Sequence, residues 1–143
     1  MEAELEERVA DEALYLRFQA TARDRRGRFP GVFGLVNILA SRGKLTEEQE
    51  RFRRTNNDWY DANFTNPSDV DPTVYDHDLN PGAAAWFKAS AHVFIERVPG
   101  YLEILAAHGV GCEAVYSSDP GRIVYEDDHQ IVVIPHHRDT TVP

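Results

Sequence analysis

The chain has a single cysteine, Cys112, among its 143 residues. That excludes an intrachain disulfide and a cysteine-ligated zinc site, and it fits a reducing compartment. No apolar run approaches the roughly 18 residues that a membrane span needs. The first residues, MEAELEERVADE, lack the basic-then-apolar pattern of a secretion signal. Together these absences predict a cytoplasmic protein with no membrane contact. Positive charge is scarce as well: 15 Lys and Arg against 24 Asp and Glu leave a net charge of −9. A nucleic-acid partner is therefore not expected, because phosphates are held mainly by Lys and Arg. The scarcity is sharpest from Thr55 to Phe87, where six Asp occur and no Lys or Arg. Finally, GxSxG, GxGxxG, GxxxxGK[ST] and HExxH are all missing. The common signatures for a serine nucleophile, a phosphate cradle and a zinc protease are thus absent.

What is present has the size of one ordinary domain, enough to bury roughly 70% of the surface of the unfolded chain. A hydrophobic share of 42% and a charged share of 27% are those of a globular protein. Residues 1–143 read as a single domain, with 1–12 as a frayed acidic tail or short helix and 136–143 as an exposed tail. Residues 14–21 alternate apolar and polar and read as a strand. After Pro30, Val32, Leu35, Val36 and Leu39 share a helical face, and Gly43 supplies a stop. Thr46 and Gln49 have capping-box spacing and open a second helix ending near Asn63. Residues 64–81 read as a loop marked by Pro67, Pro72 and Pro81. Phe87, Ala91, Phe94, Val98, Leu102 and Leu105 then recur at steps of three and four, which predicts a long helix. Lys88, His92 and Glu96 fall on its other face, and Pro99-Gly100 must kink or break it.

The last third carries the clearest pattern. PGRIVYEDDHQIVVIP (120–135) places two β-rich runs around the polar hinge Glu126–Gln130, which predicts a hairpin. With 112–117 and 14–21 this gives an α+β fold: an antiparallel β-meander of about four strands, with three or four helices on one face. GVFGLVNILASRGKLTEEQE (31–50), Trp86-Phe87-Lys88 with Ala91, HGV (108–110) and the hairpin block together resemble a group of small bacterial proteins. About 100 residues take part in the likeness. It supports the architecture and implies no activity. Two features depart from the group: a longer Asp-rich loop, and the interruption at Pro99-Gly100.

Several residue groups could carry chemistry. Asp69, Asp71, Asp76 and Asp78 with His77 offer hard oxygen ligands, but the spacing fails the calcium-loop template: Val74 stands where Gly is required and Asn80 where Glu is required. Asp and Asn beside prolines are also ordinary turn formers. His129, His136 and His137 match no metal-ligand motif, so no metal site is expected and the cofactor is left open. Arg23, Arg25, Arg26 and Arg28 form a basic cluster that reads as a solvated loop. In the hinge, Glu126 is the candidate acid/base, with Arg17 and His129 beside it. Asp127 and Gln130, with Lys88 as a cationic partner, could grip a polar ligand. An early-strand Arg and a late-strand Glu loosely resemble ADP-ribosyl-transferring folds, although the family's paired Gln/Glu-x-Glu is absent. The competing expectation is that Lys88 or Arg17 pairs with Glu126 or Asp127 and pins helix to hairpin. Trp59, Tyr60, Phe64, Tyr75, Trp86 and Phe87 lie in or around the acidic stretch, either as core or as a groove. The leading expectation is a non-enzymatic binding module. In it, the acidic loop Asp58–Asp78, with Trp59, Tyr60 and Trp86, meets a basic protein or a cationic small molecule. The alternative is a small enzyme acting on a nucleotide or sugar-like substrate.

Overall fold

A computed structural model describes residues 13–136; the expectations for 1–12 and 137–143 lie outside the described residues. In chain order the elements are β1 (Tyr15–Ala20), α1 (Val32–Ser41), α2 (Glu47–Asn63), the single turn α3 (Pro67–Val70), β2 (Ala84–Lys88), the single turn α4 (His92–Ile95), α5 (Pro99–Ala107), β3 (Cys112–Ser117), β4 (Gly121–Glu126) and β5 (Gln130–Pro135). The fold is α+β with an antiparallel sheet, of five strands rather than about four, in the order β3-β1-β2-β5-β4. That order is not a run of consecutive hairpins, because β5 sits between β2 and β4. No helix among the described residues is long and apolar enough to cross a membrane. The described chain divides into two compact units, one of residues 13–17, 66–91 and 116–136, the other of 18–65 and 92–115.

The first unit is built on β5. Ile131, Val132 and Val133 are fully buried, and Gln130 and Ile134 are 2% and 8% exposed. A strand covered on both faces needs an unbroken apolar run instead of alternation, and IVVI is such a run. On one side β2 pairs with it, Ala84 opposite Val133, Ala85 opposite Val132, Trp86 opposite Ile131 and Phe87 opposite Gln130. On the other, β4 runs from Gly121 opposite Pro135 to Glu126 opposite Ile131, with a register shift between Ile123 and Tyr125. The start of β1 continues the sheet, placing Tyr15 opposite Lys88 and Leu16 opposite Phe87.

Residues 84–88 correct the expectation of one long helix from Phe87. Trp86, Phe87 and Lys88 lie on a strand, and the chain then turns through Ala91 N–H to the Lys88 carbonyl (2.9 Å). Lys88, His92 and Glu96 therefore share no helical face. The helical spacing of Phe87 and Ala91 is coincidental: Ala84 to Phe87 pair with β5, and such tertiary pairing overrides alanine's helix preference, because propensity is a weak prior. Helix resumes only as α4 and, after Pro99 at its first turn, as α5.

The second unit follows its sequence signals closely. α1 ends at Ser41, two residues before Gly43. Thr46 and Gln49 form both halves of the capping box that starts α2. Aromatic rings fill the space between helices in edge-on pairs, Phe33 against Tyr60 and Tyr101, Phe52 against Tyr101, and Phe64 against Phe94. Each such pair adds about 0.5–1.5 kcal/mol beyond area burial. The Tyr60 hydroxyl donates to the Phe94 carbonyl (2.5 Å) and the Tyr101 hydroxyl to Asn57 Oδ1 (2.8 Å), so neither ring strands a polar atom. Gly100 lets α5 approach Phe52: a Cβ there would lie 2.2 Å from the phenyl ring.

Gly121 has a similar role in the first unit. A Cβ would stand 2.2 Å from the Ile134 carbonyl oxygen and 2.8 Å from its carbon. Backbone held in a strand ladder cannot yield as a side chain can. Gly121→Ala is expected to lose about 2 kcal/mol by overpacking, read as a lower urea midpoint with an unchanged slope.

Candidate functional site at the β4–β5 turn

The polar hinge is a tight turn organised by one carboxylate. The Asp127 N–H donates to the Gln130 carbonyl at 3.0 Å. Asp127 Oδ1 accepts the backbone N–H groups of His129 (2.9 Å) and Gln130 (3.1 Å). Its Oδ2 accepts the Tyr125 hydroxyl (2.7 Å) and Gln130 Nε2 (3.0 Å). An Asp at this place mimics a backbone turn with its own side chain, which is why the sequence can reverse here without glycine. Burial pushes the Asp127 carboxyl up, but the donors from Tyr125, His129 and Gln130 outweigh it and hold the group below its ordinary value. The Tyr125 phenol is pushed up to about 12, first by burial and then by its hydrogen bond to Asp127 and the charge on that carboxylate. Gln130 is the single buried polar or charged residue among the described residues. None of their buried side-chain polar atoms lacks a partner.

Around this turn the other candidates find local roles. Lys88 Nζ reaches Glu126 Oε2 at 2.6 Å, and the Lys88 N–H donates to the His129 carbonyl at 2.8 Å. The hydrogen bond to Glu126 raises the Lys88 ammonium above its ordinary value. The pin therefore joins β2 to the hairpin, strand to strand. Arg17 Nη1 donates to the Ala85 carbonyl at 2.8 Å. Tyr75 keeps 40% of its surface exposed. Burial of its hydroxyl end raises its phenol, and the Arg17 charge opposes that rise.

The aromatic candidates are drawn inward. Trp86 and Tyr60 are each 9% exposed, the first on β2 and the second in the ring cluster of the second unit. Trp59 lies beneath the Arg97 guanidinium at 3.8 Å, and Arg97 Nη1 donates to Asn56 Oδ1. Their surfaces serve packing.

Within the first unit the Asp-rich loop is ordered by its own side chains. Asn66 caps α3 through the Ser68 N–H. Asp71 Oδ1 accepts the N–H (3.0 Å) and hydroxyl (2.8 Å) of Thr73. Asp76 Oδ1 accepts the N–H groups of Asp78 (2.8 Å) and Leu79 (3.0 Å). Val74 is fully buried and anchors the middle, whereas Val70 and Leu79 are 63% and 60% exposed. Asp69 and Asp78 are exposed beside them. Among the described residues no group of three or more His, Cys, Asp or Glu is arranged to hold a metal ion.

Comparison with protein-family models, with curated proteins and with solved structures finds no match.

Sequence reasoning overlooked Tyr125 and the exposed pair Val70 and Leu79. Tyr125 reaches Asp127 two residues on, and the strand period of two, which puts i and i+2 on one face, is the signal that could have found it. The turn-forming role of Asp127 did have a signal, an Asp opening a short polar hinge.

Asp127→Ala would leave the turn N–H groups, Tyr125 and Gln130 without their acceptor. A loss of about 2 kcal/mol is expected in urea unfolding at neutral pH, with Asp127→Asn intermediate. Because the folded-state pKa lies below the ordinary 3.8, the Asp127 contribution is complete above that value. It disappears as pH falls through the lowered one. The deficit of Asp127→Ala relative to wild type should therefore shrink on acidification below about pH 4.

Proposed function

We propose that the chain is a non-enzymatic interaction module whose acidic loop, residues 66–80, takes a lysine- and arginine-rich segment of a partner protein. The observation that carries this reading is the pairing of exposed apolar and exposed acidic side chains on one fixed backbone. Val70 and Leu79 are exposed and each follows an exposed aspartate, Asp69 and Asp78, while Asp71, Asp76 and buried Val74 order the segment between them. Exposed apolar groups rimmed by charge are a common mark of an interaction surface. An ordered loop also loses little entropy on binding. Trp59, Tyr60 and Trp86 drop out of the proposed surface, because packing occupies them. A cationic small molecule fits less well, since it would leave the apolar pair uncovered. The enzyme alternative, with Glu126, Arg17 and His129, draws less support because Lys88 engages the Glu126 carboxylate and the Ala85 carbonyl takes an Arg17 donor. A reducing, cytoplasmic setting is supported by the single cysteine, and a bacterial origin by the sequence blocks noted above.

The test is calorimetric titration with a short peptide alternating lysine and leucine, and with its glutamate–leucine counterpart. Binding of the lysine peptide alone is expected, weakening with added salt. Asp69→Asn with Asp78→Asn should reduce affinity about three- to tenfold without changing the melting temperature. Val70→Ser with Leu79→Ser should also weaken it. Equal binding of both peptides, no binding, or no effect of the acidic variant would overturn the reading.

A further inference from the structure

We propose that the basic partner of the acidic loop is a second copy of this chain, engaged through the arginine-bearing turn at residues 23–28; this rests on the reading of the loop given above. The turn joins β1 to α1 and is closed by backbone bonds from Ala20 N–H to the Pro30 carbonyl (2.8 Å) and from Asp24 N–H to the Arg28 carbonyl (2.7 Å). Asp24 Oδ1 accepts the N–H groups of Arg26 (2.9 Å) and Arg28 (3.0 Å). Arg23 folds back, its Nη1 donating to the Gly27 carbonyl and its guanidinium lying 4.6 Å from the Phe29 ring centre. Arg25 and Arg26 are left pointing outward. Both are exposed, and their guanidinium groups make no hydrogen bond or ion pair among the described residues.

An outward arginine pair on a fixed turn is matched to carboxylates, because the planar guanidinium engages them two bonds at a time. Loop 66–80 presents the complementary surface, with Asp69 and Asp78 exposed and no Lys or Arg. The long arginine stems can lie over Val70 and Leu79 while the charged heads meet the carboxylates. Both elements are held by their own Asp side chains, so little ordering is needed at contact. A nucleic acid is a poorer occupant of the same turn, since a chain of net charge −9 repels a polyanion as a whole. The contact joins two different surfaces, so copies associate head to tail.

Sedimentation of the full chain from about 10 μM to 1 mM, at about 50 and 500 mM salt, tests the contact. Wild type is expected to self-associate at low salt and to dissociate at high salt. Arg25→Glu with Arg26→Glu, and separately Asp69→Lys with Asp78→Lys, should each weaken association about tenfold or more. An equimolar mixture of the two variants should restore it, since the reversed charges complement each other. Unchanged melting temperatures show that the exposed substitutions leave the fold intact. A monomeric wild type at low salt, an arginine variant that associates as wild type does, or a mixture that stays monomeric overturns the proposal. If wild type is monomeric yet still binds the lysine–leucine peptide, this inference alone fails. Failure of that peptide as well removes the underlying reading.

Discussion

A strand buried on both faces is a demanding element, because every side chain must be apolar or fully hydrogen-bonded and every backbone group must find a neighbour. β5 meets that demand with Ile131, Val132, Val133 and Ile134 in succession, and with β2 and β4 on its two sides. Register is critical under such burial, since a one-residue slip would exchange the faces of the whole strand. Asp127 sets the register on the β4 side by closing the turn one residue beyond the last ladder pair. Gln130 sets the depth at which the strand enters the core, because its amide must stay on the Asp127 carboxylate once water is excluded. The Lys88 N–H, bonded to the His129 carbonyl, then ties β2 to the same point.

The acidic character of the chain acquires a second meaning from this. Asp24, Asp71, Asp76 and Asp127 each accept the N–H two residues ahead and thereby fix a loop. A surplus of carboxylates is thus partly a surplus of turn formers. It allows long irregular segments to stay ordered with little apolar content of their own. The carboxylates left over, such as Asp69 and Asp78, are held out on backbones that those four residues have made stiff. The same device stiffens the turn that carries Arg25 and Arg26, so opposite charges are displayed on scaffolds of one kind.

Much of the fold was legible because its signals are local. The capping box of Thr46 and Gln49, the end of α2 at Asn63, the break at Pro99 and the hairpin at 120–135 each depend on residues within a few positions of one another. The misreading at 84–88 shows the opposite case. AAWFK has no strong local preference, and its state is decided by a partner nearly fifty positions away. Of the candidate site, the turn role of Asp127 was readable in principle. The inward fate of Trp86 and Tyr60 was not, because an aromatic side chain has the same sequence signature in a core as in a groove.

Composition and spacing alone therefore determined the α+β class, the positions of α1, α2 and the terminal hairpin, and the exclusion of a disulfide. Capping, turn and proline effects act over a few residues and need no knowledge of the rest of the chain. Only the tertiary structure decided that β5 lies between β2 and β4, that Lys88 engages Glu126, and that Val70 and Leu79 remain in water. Those outcomes depend on which distant segments exclude water from one another, and burial of that kind is a property of the assembled chain.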